Sequence, residues 1–172
     1  KTDGGSLFLN TNNTYTGDTL VNQGALVLSI SFGGAALAST NVVFNNNPSP
    51  DLYTMVNNQF APGTVVSFVT DSGDHGRLDL IGTTQTVAGI QTVGYTGARG
   101  MVQNRDAGPA NSGTSLLVLD GSGNYTFTGY LRNGNSGTLS LLHSGVGTQT
   151  LSGTVIDYTG GTTVSAARMI FL

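Results

Sequence analysis

The sequence predicts an all-β protein whose short strands stack as successive coils of a β-solenoid. Three observations lead to this fold class. The composition is poor in helix-forming residues, apolar side chains alternate with period two along most of the chain, and one phrase occurs near both ends. The 172 residues are enough for a sizeable core, and we expect residues 1–172 to form a single solenoid domain.

The composition favours strands and turns over helices. Gly (26), Thr (24), Ser (15) and Asn (15) together supply nearly half of the chain. Charged residues make up only 9%, and every acidic residue is an aspartate. Thr prefers pleated surfaces, while Gly and Asn supply turns. Periodic runs of Ala, Leu, Glu and Lys, which would build helices, are missing from the sequence.

Charge and composition also limit the classes of function. A net charge of −3 lacks the basic footprint of a nucleic-acid-binding protein. No apolar run reaches the roughly 20 residues that span a membrane, so we expect no membrane insertion. Without cysteine there is neither a disulfide nor a thiolate metal site. The chain starts at Lys1, which suggests a mature or trimmed product, and its polar, weakly charged composition suggests an extracellular location.

The elements follow from alternating apolar segments that end in Gly, Asn, Pro or Asp. Such segments are typical of short strands closed by turns, and they predict eleven to thirteen strands. Nine of these segments, in chain order, are 6–10, 25–30, 42–46, 64–70, 77–82, 85–93, 115–120, 125–131 and 137–144. Residues 33–40 and 49–58 are the two candidates for a single helical turn, although neither is favoured over strand or loop.

An internal repeat decides between the possible β architectures. Residues 5–29 read GSLFLNTNNTYTGDTLVNQGALVLS, and residues 147–172 read GTQTLSGTVIDYTGGTTVSAARMIFL. Both run from a Gly-[Ser/Thr]-x-x-Leu strand through Tyr-Thr-Gly-x-Thr and Val to a second apolar strand, with one inserted residue in the later copy. A looser copy covers residues 116–142. Self-similarity of this kind is the signature of a stacked repeat.

A solenoid explains why the repeat has this form. Alternating Leu and Val would fill the interior, and the Gly of Tyr-Thr-Gly would adopt a corner conformation that a Cβ forbids. Thr and Asn at equivalent positions would form ladders between coils, and low charge would avoid stacked like charges. The alternative is an antiparallel β-sandwich, which also uses short strands at regular spacing.

The repeated phrase resembles the autotransporter-associated β-strand repeat, also called the passenger-associated transport repeat. Its members read approximately Gly-x-Gly-Thr-Leu-x-Leu, Asn-Thr-Tyr-Thr-Gly-Gly-Thr-x-Val, Gly-x-Leu-x-Leu. Residues 5–28 match this pattern through Leu7, Leu9, Asn13, Thr14, Tyr15, Thr16, Gly17, Thr19, Val21, Gly24, Leu26 and Leu28. Residues 147–172 match through Gly147, Leu151, Tyr158, Thr159, Gly160, Gly161, Thr162 and Val164. This later copy departs from the pattern at residues 155–157 and in its last strand.

Two further segments are similar to what lies between such repeats, namely residues 76–94 and 125–153. The resemblance implies a right-handed, single-stranded parallel β-helix on a bacterial outer surface or secreted from it. It also implies a stalk, adhesin or autotransporter passenger rather than an enzyme, since the repeat is not a catalytic module.

The most charged stretch surrounds His75, which lies among Asp71, Asp74, Arg77 and Asp79. Two carboxylates and an imidazole could bind a divalent ion. Asp-Ser-Gly-Asp is, however, typical turn chemistry, and we interpret the stretch as a solvated turn. Asp71 and Asp74 would be the first pair to test for glycosidase chemistry, which uses two carboxyl groups.

Two other candidates are weaker. Asp120, Ser122 and Asn124 alternate as in a calcium loop, but Tyr125 and Leu131 occupy the positions where that loop needs Gly and Glu. We therefore predict a turn. His143 follows an apolar strand and precedes a Gly-rich segment, so we predict a strand-end surface residue.

Several tyrosines could stack against sugars, or could be structural aromatics at solenoid corners. They are Tyr15, Tyr95, Tyr125, Tyr130 and Tyr158.

The sequence thus predicts a non-enzymatic structural protein with no catalytic, cofactor-binding or metal-binding residues. Self-association is the expected partnership, because residues 168–172 form an apolar strand with no polar cap and both ends carry motif copies. Head-to-tail stacking of such copies would build a filament. The alternative function is a carbohydrate-binding or carbohydrate-active surface β-helix, which would have a surface glycan as its partner. A sandwich such as a lectin or capsid-like domain would instead pair its strands antiparallel.

Overall fold

A computed structural model describes most of the chain and consists of strands joined by turns, with no helix among the described residues. The described ranges are 1–31, 33–45, 49–69, 75–94, 100–105, 113–134, 137–153 and 155–172.

Eighteen strands of three to six residues occur within these ranges. In chain order they are β1 (Ser6–Leu9), β2 (Thr19–Val21), β3 (Ala25–Leu28), β4 (Asn41–Phe44), β5 (Asp51–Thr54), β6 (Val65–Phe68), β7 (Arg77–Asp79), β8 (Thr84–Val87), β9 (Gly89–Thr92), β10 (Met101–Asn104), β11 (Thr114–Leu119), β12 (Asn124–Phe127), β13 (Tyr130–Asn133), β14 (Thr138–His143), β15 (Thr148–Leu151), β16 (Val155–Asp157), β17 (Thr162–Val164) and β18 (Arg168–Phe171).

The strands form four sheets in which every pairing between described residues is parallel. The first sheet has the order β1-β3-β5-β7-β10-β13-β16, the second β2-β4-β6-β9, the third β8-β11-β14-β17, and the fourth β12-β15-β18. Successive passes of the chain therefore lie over one another in the same direction, as in a β-solenoid. The predicted solenoid is confirmed, and the antiparallel sandwich is wrong.

Each end repeat makes one coil. In the first copy, Ser6 of β1 pairs with Ala25 of β3, nineteen residues further along. In the second copy, Thr148 of β15 pairs with Arg168 of β18, twenty residues further along. The first and last strands of a copy are thus neighbouring rungs of one sheet, and the residue inserted in the second copy lengthens its coil by one.

The core is a set of stacked inward-facing rows. One row on the first sheet is Leu26, Leu52, Leu78, Val102 and Leu131, all almost fully buried. On the second sheet the rings of Phe44 and Phe68 stack with their centroids 4.7 Å apart, and Phe127 of β12 packs against Phe68 at 5.3 Å. This packing accounts for the period-two pattern, because the inward face of each strand is buried against the other sheets across the interior, whereas the outward face is not.

Buried glutamine side chains make hydrogen bonds to backbone groups in the segments that lie outside the strands, where no strand-to-strand pairing is present among the described residues. The Gln59 side chain accepts a hydrogen bond from Ile30 N and donates one to Ile30 O, at 2.8 and 3.1 Å. Gln85 does the same one coil further on, accepting from Gln59 N and donating to Val56 O. Each carboxamide supplies the donor and acceptor that a neighbouring strand would supply, so no backbone group in these pairs is left unpaired.

A third glutamine bridges the junction between the second and fourth sheets. Gln149 of β15 accepts from Ile90 N at 3.2 Å and donates to Ile90 O at 2.9 Å, although 59 residues separate the two. Gln149 is fully buried. β9 and β12 are not paired in a sheet. The buried Gln149 side chain therefore makes the hydrogen bonds to Ile90 of β9 that a neighbouring strand would otherwise make.

The glycine of the repeated corner does not need a special backbone conformation. Gly17 has no positive φ, and a Cβ there would meet nothing within 4 Å. In the second copy Gly160 is required for a different reason, since a Cβ would lie 2.1 Å from Leu139 O of the coil below. The expected conformational role is therefore wrong, and close approach of stacked coils explains the second copy.

The structure also corrects the predicted elements. Eighteen described strands exceed the eleven to thirteen predicted, in part because the predicted segments 85–93 and 125–131 each span two strands, β8 with β9 and β12 with β13. Residues 49–58 contain β5 rather than a helical turn, and in segment 33–40 Leu37 forms a parallel bridge to Phe60.

Within the described ranges, no helix has the length and apolar character needed to cross a membrane.

Candidate functional site

The outer face of the first sheet carries most of the charge that the described strands contain. Two neighbouring outward rows cross the sheet. The first row contains Ala25, Asp51, Arg77, Met101 and Tyr130, and the second contains Val27, Tyr53, Asp79, Gln103, Arg132 and Asp157. Within each row unlike groups follow one another, so no two like charges occupy adjacent rungs.

Hydrogen bonds link the two rows across the coils. Arg77 Nη1 lies 3.0 Å from Asp51 Oδ1, and the Tyr53 hydroxyl donates to Asp51 Oδ2 at 3.0 Å. Further along, Gln103 Nε2 donates to Asp79 Oδ1 at 2.5 Å, and Arg132 Nε donates to Gln103 Oε1 at 2.8 Å. Asp79, Gln103 and Arg132, from three successive rungs, are therefore held in one connected network, separate from the bonds that join Asp51 to Arg77 and Tyr53.

A surface groove of about 400 Å³ lies beside this network. Its lining is made of guanidinium, amide and backbone groups from Arg77, Gln103, Arg105, Arg132, Asn133 and Gly134. No carboxylate of the described residues is part of that lining. Three of the protein's five arginines are thus gathered at one groove of a chain whose net charge is negative. We name this feature the arginine groove.

Asp79 is buried next to the arginine groove. Its side chain is fully shielded from solvent, and Oδ2 has no hydrogen-bond partner within the described ranges. Burial raises the pKa of Asp79 from 3.8 to about 6; the bond from Gln103 opposes this rise, as do Arg105 and Arg77, while Asp51 adds to it. Burial and the nearby Asp51 also raise the pKa of Tyr53 to about 12.

The charged stretch around His75 divides between a strand and an undescribed segment. Asp71 and Asp74 lie outside the described residues. Arg77 and Asp79 belong to β7, inside the strand predicted at 77–82, and Asp79 is buried rather than solvated. The His75 ring lies near the Tyr130 ring, with centroids 6.3 Å apart. Among the described residues, no three His, Asp or Glu side chains come together as a metal site would need.

Asp120, Ser122 and Asn124 lie at the turn that joins β11 to β12. Asp120 and Ser122 line a second groove together with Tyr125. Since Asn124 begins β12, these residues form a corner, as the turn prediction expects.

His143 is buried, and the prediction of a surface residue is wrong. It is the last residue of β14 and continues the inward row of Leu139 and Leu141. Its Nδ1 lies 2.9 Å from Leu119 O and, since a carbonyl only accepts, Nδ1 is the donor. The alternation Leu-x-Leu-x-His could have predicted that His143 is buried, because residues at i, i+2 and i+4 of a strand share a face.

The motif tyrosines are structural in both repeats. The Tyr15 hydroxyl lies 3.0 Å from Thr19 Oγ1, and the Tyr158 hydroxyl lies 2.5 Å from Thr162 Oγ1. The same four-residue spacing gives the same contact in both repeats. The Tyr-x-x-x-Thr spacing of the phrase therefore places a hydrogen bond between the two hydroxyl groups across the corner. Tyr158 also packs against the core.

The remaining tyrosines differ in setting. The ring of Tyr125 occupies the space above Gly89, where a Cβ would lie 2.2 Å from it. Tyr130 is half-buried on the outer face of the first sheet, and Tyr95 lies outside the described residues.

Sequence reasoning did not single out Gln103, Arg105 or Arg132. Gln103 and Arg105 lie two residues apart, but Arg132 is 27 residues beyond Arg105 and Arg77 is 26 residues before Gln103. Only the pairing of β7 with β10 and of β10 with β13 brings them together, and the long turns between these strands hide the register.

Comparison with known proteins agrees with the repeat. The family model described as the passenger-associated-transport-repeat matches residues 1–28 and 143–168. These are the two end segments identified above, and the looser copy at 116–142 is not among the matched residues. No curated protein matches the chain significantly, and no solved structure does. Two segments of the chain are therefore similar to the passenger-associated-transport repeat, and the strands of each belong to one coil of a parallel β-solenoid.

Proposed function

We propose that this chain is a non-enzymatic structural module of the bacterial cell surface or the extracellular space, serving as a β-helical stalk or adhesin passenger. The observation that carries the proposal is that each matched repeat closes one coil, so that adding repeats lengthens the solenoid. The repeat is of the autotransporter passenger type, which is structural in kind and occurs in secreted or outer-surface proteins.

We further propose that copies of the chain associate head to tail. Among the described strands, β1 and β2 have no partner on one side, and β16, β17 and β18 have none at the opposite end of the stack. Unpaired strand edges of this kind are templates for further pairing. In a longer chain the same edges would carry the next coil.

The exposed ends of the core support this association. Leu7 lies in the inward row that continues through Leu26, yet its side chain is 45% exposed. Phe171 lies in the inward row of Leu151 and is 51% exposed. Both are core positions that no coil covers, and stacking one end on the other would bury them together.

Matching faces give the contact its geometry. β16 and β1 are the two edges of the same seven-stranded sheet, so a second copy could continue that sheet with parallel pairing. A contact between two different surfaces does not close on itself, and repetition therefore produces a filament.

Sedimentation velocity and negative-stain electron microscopy over a range of concentrations test the assembly. We expect filaments in the unaltered protein and their loss in either Leu7→Asp or Phe171→Asp. A mixture of the two variants should form dimers and stop there, since each keeps one intact edge. Val146→Asp is the control, because Val146 is 75% exposed on the turn between β14 and β15. A strictly monomeric protein at the highest soluble concentration contradicts the assembly proposal.

A further inference from the structure

We propose that the arginine groove binds an anionic polysaccharide, one that carries carboxylate or sulfate groups along an extended chain. The groove consists of Arg77, Gln103, Arg105, Arg132, Asn133 and Gly134. This inference gives the proposed surface module a ligand, and it goes beyond the structural role of the coils themselves.

The charge that the groove presents to solvent is positive. Among the described residues the ion pairs are Lys1–Asp3 and Arg77–Asp51, so neither Arg105 nor Arg132 is paired with a carboxylate. Asp79, the nearest other acid in these rows, is shielded from solvent beneath the groove. Asp157, one strand beyond Arg132, lies outside the lining. Guanidinium groups without acidic partners at an open surface are suited to carboxylate or sulfate oxygens.

The groove is preorganised for such a contact. Arg132 donates its Nε to Gln103 Oε1, and Gln103 is in turn fixed by its bond to Asp79. This chain of bonds orients the guanidinium and leaves its two terminal nitrogens available for a bidentate contact. Asn133 is likewise fixed, because its Oδ1 accepts from Leu139 N at 3.0 Å. Little side-chain entropy then remains to be lost on binding.

The spacing favours an extended ligand over a single small anion. Arg77 lies on β7 and Arg132 on β13, with β10 between them. Neighbouring strands are about 4.8 Å apart, so the two arginine strands are roughly 10 Å apart along the solenoid axis. A polymer with a repeating negative charge can meet both arginines, whereas one carboxylate cannot.

A polysaccharide suits the site better than an acidic peptide. β7, β10 and β13 are each paired on both sides, so no strand edge is open here for a peptide to add to. The half-buried Tyr130 ring, which lies beside His75 on the same outer face, offers an aromatic surface of the kind on which a sugar ring can pack.

Isothermal titration calorimetry tests the proposal with polygalacturonate and dextran sulfate as anionic probes. Neutral dextran and polyglutamate serve as comparison polymers. We expect binding of at least one anionic polysaccharide, no binding of dextran, and an affinity at least about tenfold lower in the Arg105→Gln/Arg132→Gln double variant. Arg168→Gln is the matched control, because Arg168 is exposed on β18 in another sheet.

Three results would overturn the proposal: no binding of either anionic polysaccharide, equal loss of binding in the Arg168→Gln control, or polyglutamate binding as tightly as the polysaccharides. Circular dichroism of each variant verifies that the fold is retained. Sedimentation reports the head-to-tail assembly separately, so failure of the groove and failure of the filament are distinguishable.

Discussion

At the scale of single residues, buried polar side chains carry much of the specificity of this solenoid. Gln59, Gln85 and Gln149 each pair with backbone groups that lack a neighbouring strand. A buried amide that makes these bonds stabilises one register, whereas an apolar replacement would leave an unpaired donor and acceptor at a cost of about 1–3 kcal/mol each. Within the described residues the exceptions are one polar atom each of Asn22, Asp79, Thr128 and His143, which are buried without a hydrogen-bond partner.

We expect Asp79→Asn to stabilise the protein at about pH 8, because the variant removes a buried charge while its amide oxygen can still accept from Gln103. The pKa of Asp79 is raised to about 6, so the folded state holds the proton more tightly than the unfolded state does. The stability that protonation contributes is complete below about pH 4 and is lost as the pH rises through about 6. The rise from 3.8 to about 6 corresponds to up to about 3 kcal/mol.

Chemical denaturation of both proteins at about pH 8 and about pH 4 measures this difference. The gap between variant and unaltered protein should close at the lower pH. Asp157→Asn is the control, because Asp157 is exposed. An equal free energy of unfolding for Asp79→Asn and the unaltered protein at both pH values would refute the assignment.

At the scale of elements, the corners between strands set how closely the coils can stack. Gly145 follows β14, and a Cβ on it would lie 2.1 Å from Gly121 O of the coil below. Gly147 and Gly153 make similarly close approaches to Gly123 and Gly129. Glycines stacked on glycines therefore let the backbone turn at the same place in successive coils without separating the strands that follow.

Gly145→Ala is expected to destabilise the protein by about 1–3 kcal/mol, because the added methyl group forces the backbone of two coils apart. Gly17→Ala should change the free energy of unfolding by less than about 0.5 kcal/mol, since a Cβ at Gly17 meets nothing within 4 Å. Thermal unfolding of the two variants beside the unaltered protein makes the comparison. If both substitutions cost the same, close stacking at Gly145 is not the reason for its glycine.

At the scale of the whole molecule, each coil contacts only its neighbours, so stability depends on position along the stack. Coils in the middle are covered on both sides, and side chains such as Leu52 and Leu78 are fully buried. The end coils are covered on one side only, and their core positions, including Leu7 and Phe171, are partly exposed.

We expect hydrogen exchange to begin at the two ends of the stack. Amides of β16 and β18 should exchange faster than amides of β7 and β10, because opening an end coil breaks the contacts with one neighbour rather than two. Exchange followed by mass spectrometry under conditions that keep the protein monomeric measures this order. Uniform protection of all four strands would contradict a stack of nearest-neighbour coils.

The sequence by itself determined the architecture, because the signals of a solenoid are local. Alternation of apolar residues fixes which face of each strand is buried, and the repeated phrase at 5–29 and 147–172 fixes one coil. The same alternation also indicates that His143 is buried, although its position at a strand end suggested a surface residue.

Only the tertiary structure decided what lies on the outside of the stack. Outward residues contribute no periodic signal, and their neighbours depend on the register between coils of different length. Arg77 and Arg132 are 55 residues apart in sequence, yet the pairing through β10 places them beside one groove. Gln149 likewise contacts Ile90 only because β9 is an edge strand that is not paired with β12. Local alternation therefore predicts which residues form the core. The arginine groove depends instead on the lengths of the turns, because these lengths set which residues of successive coils lie side by side.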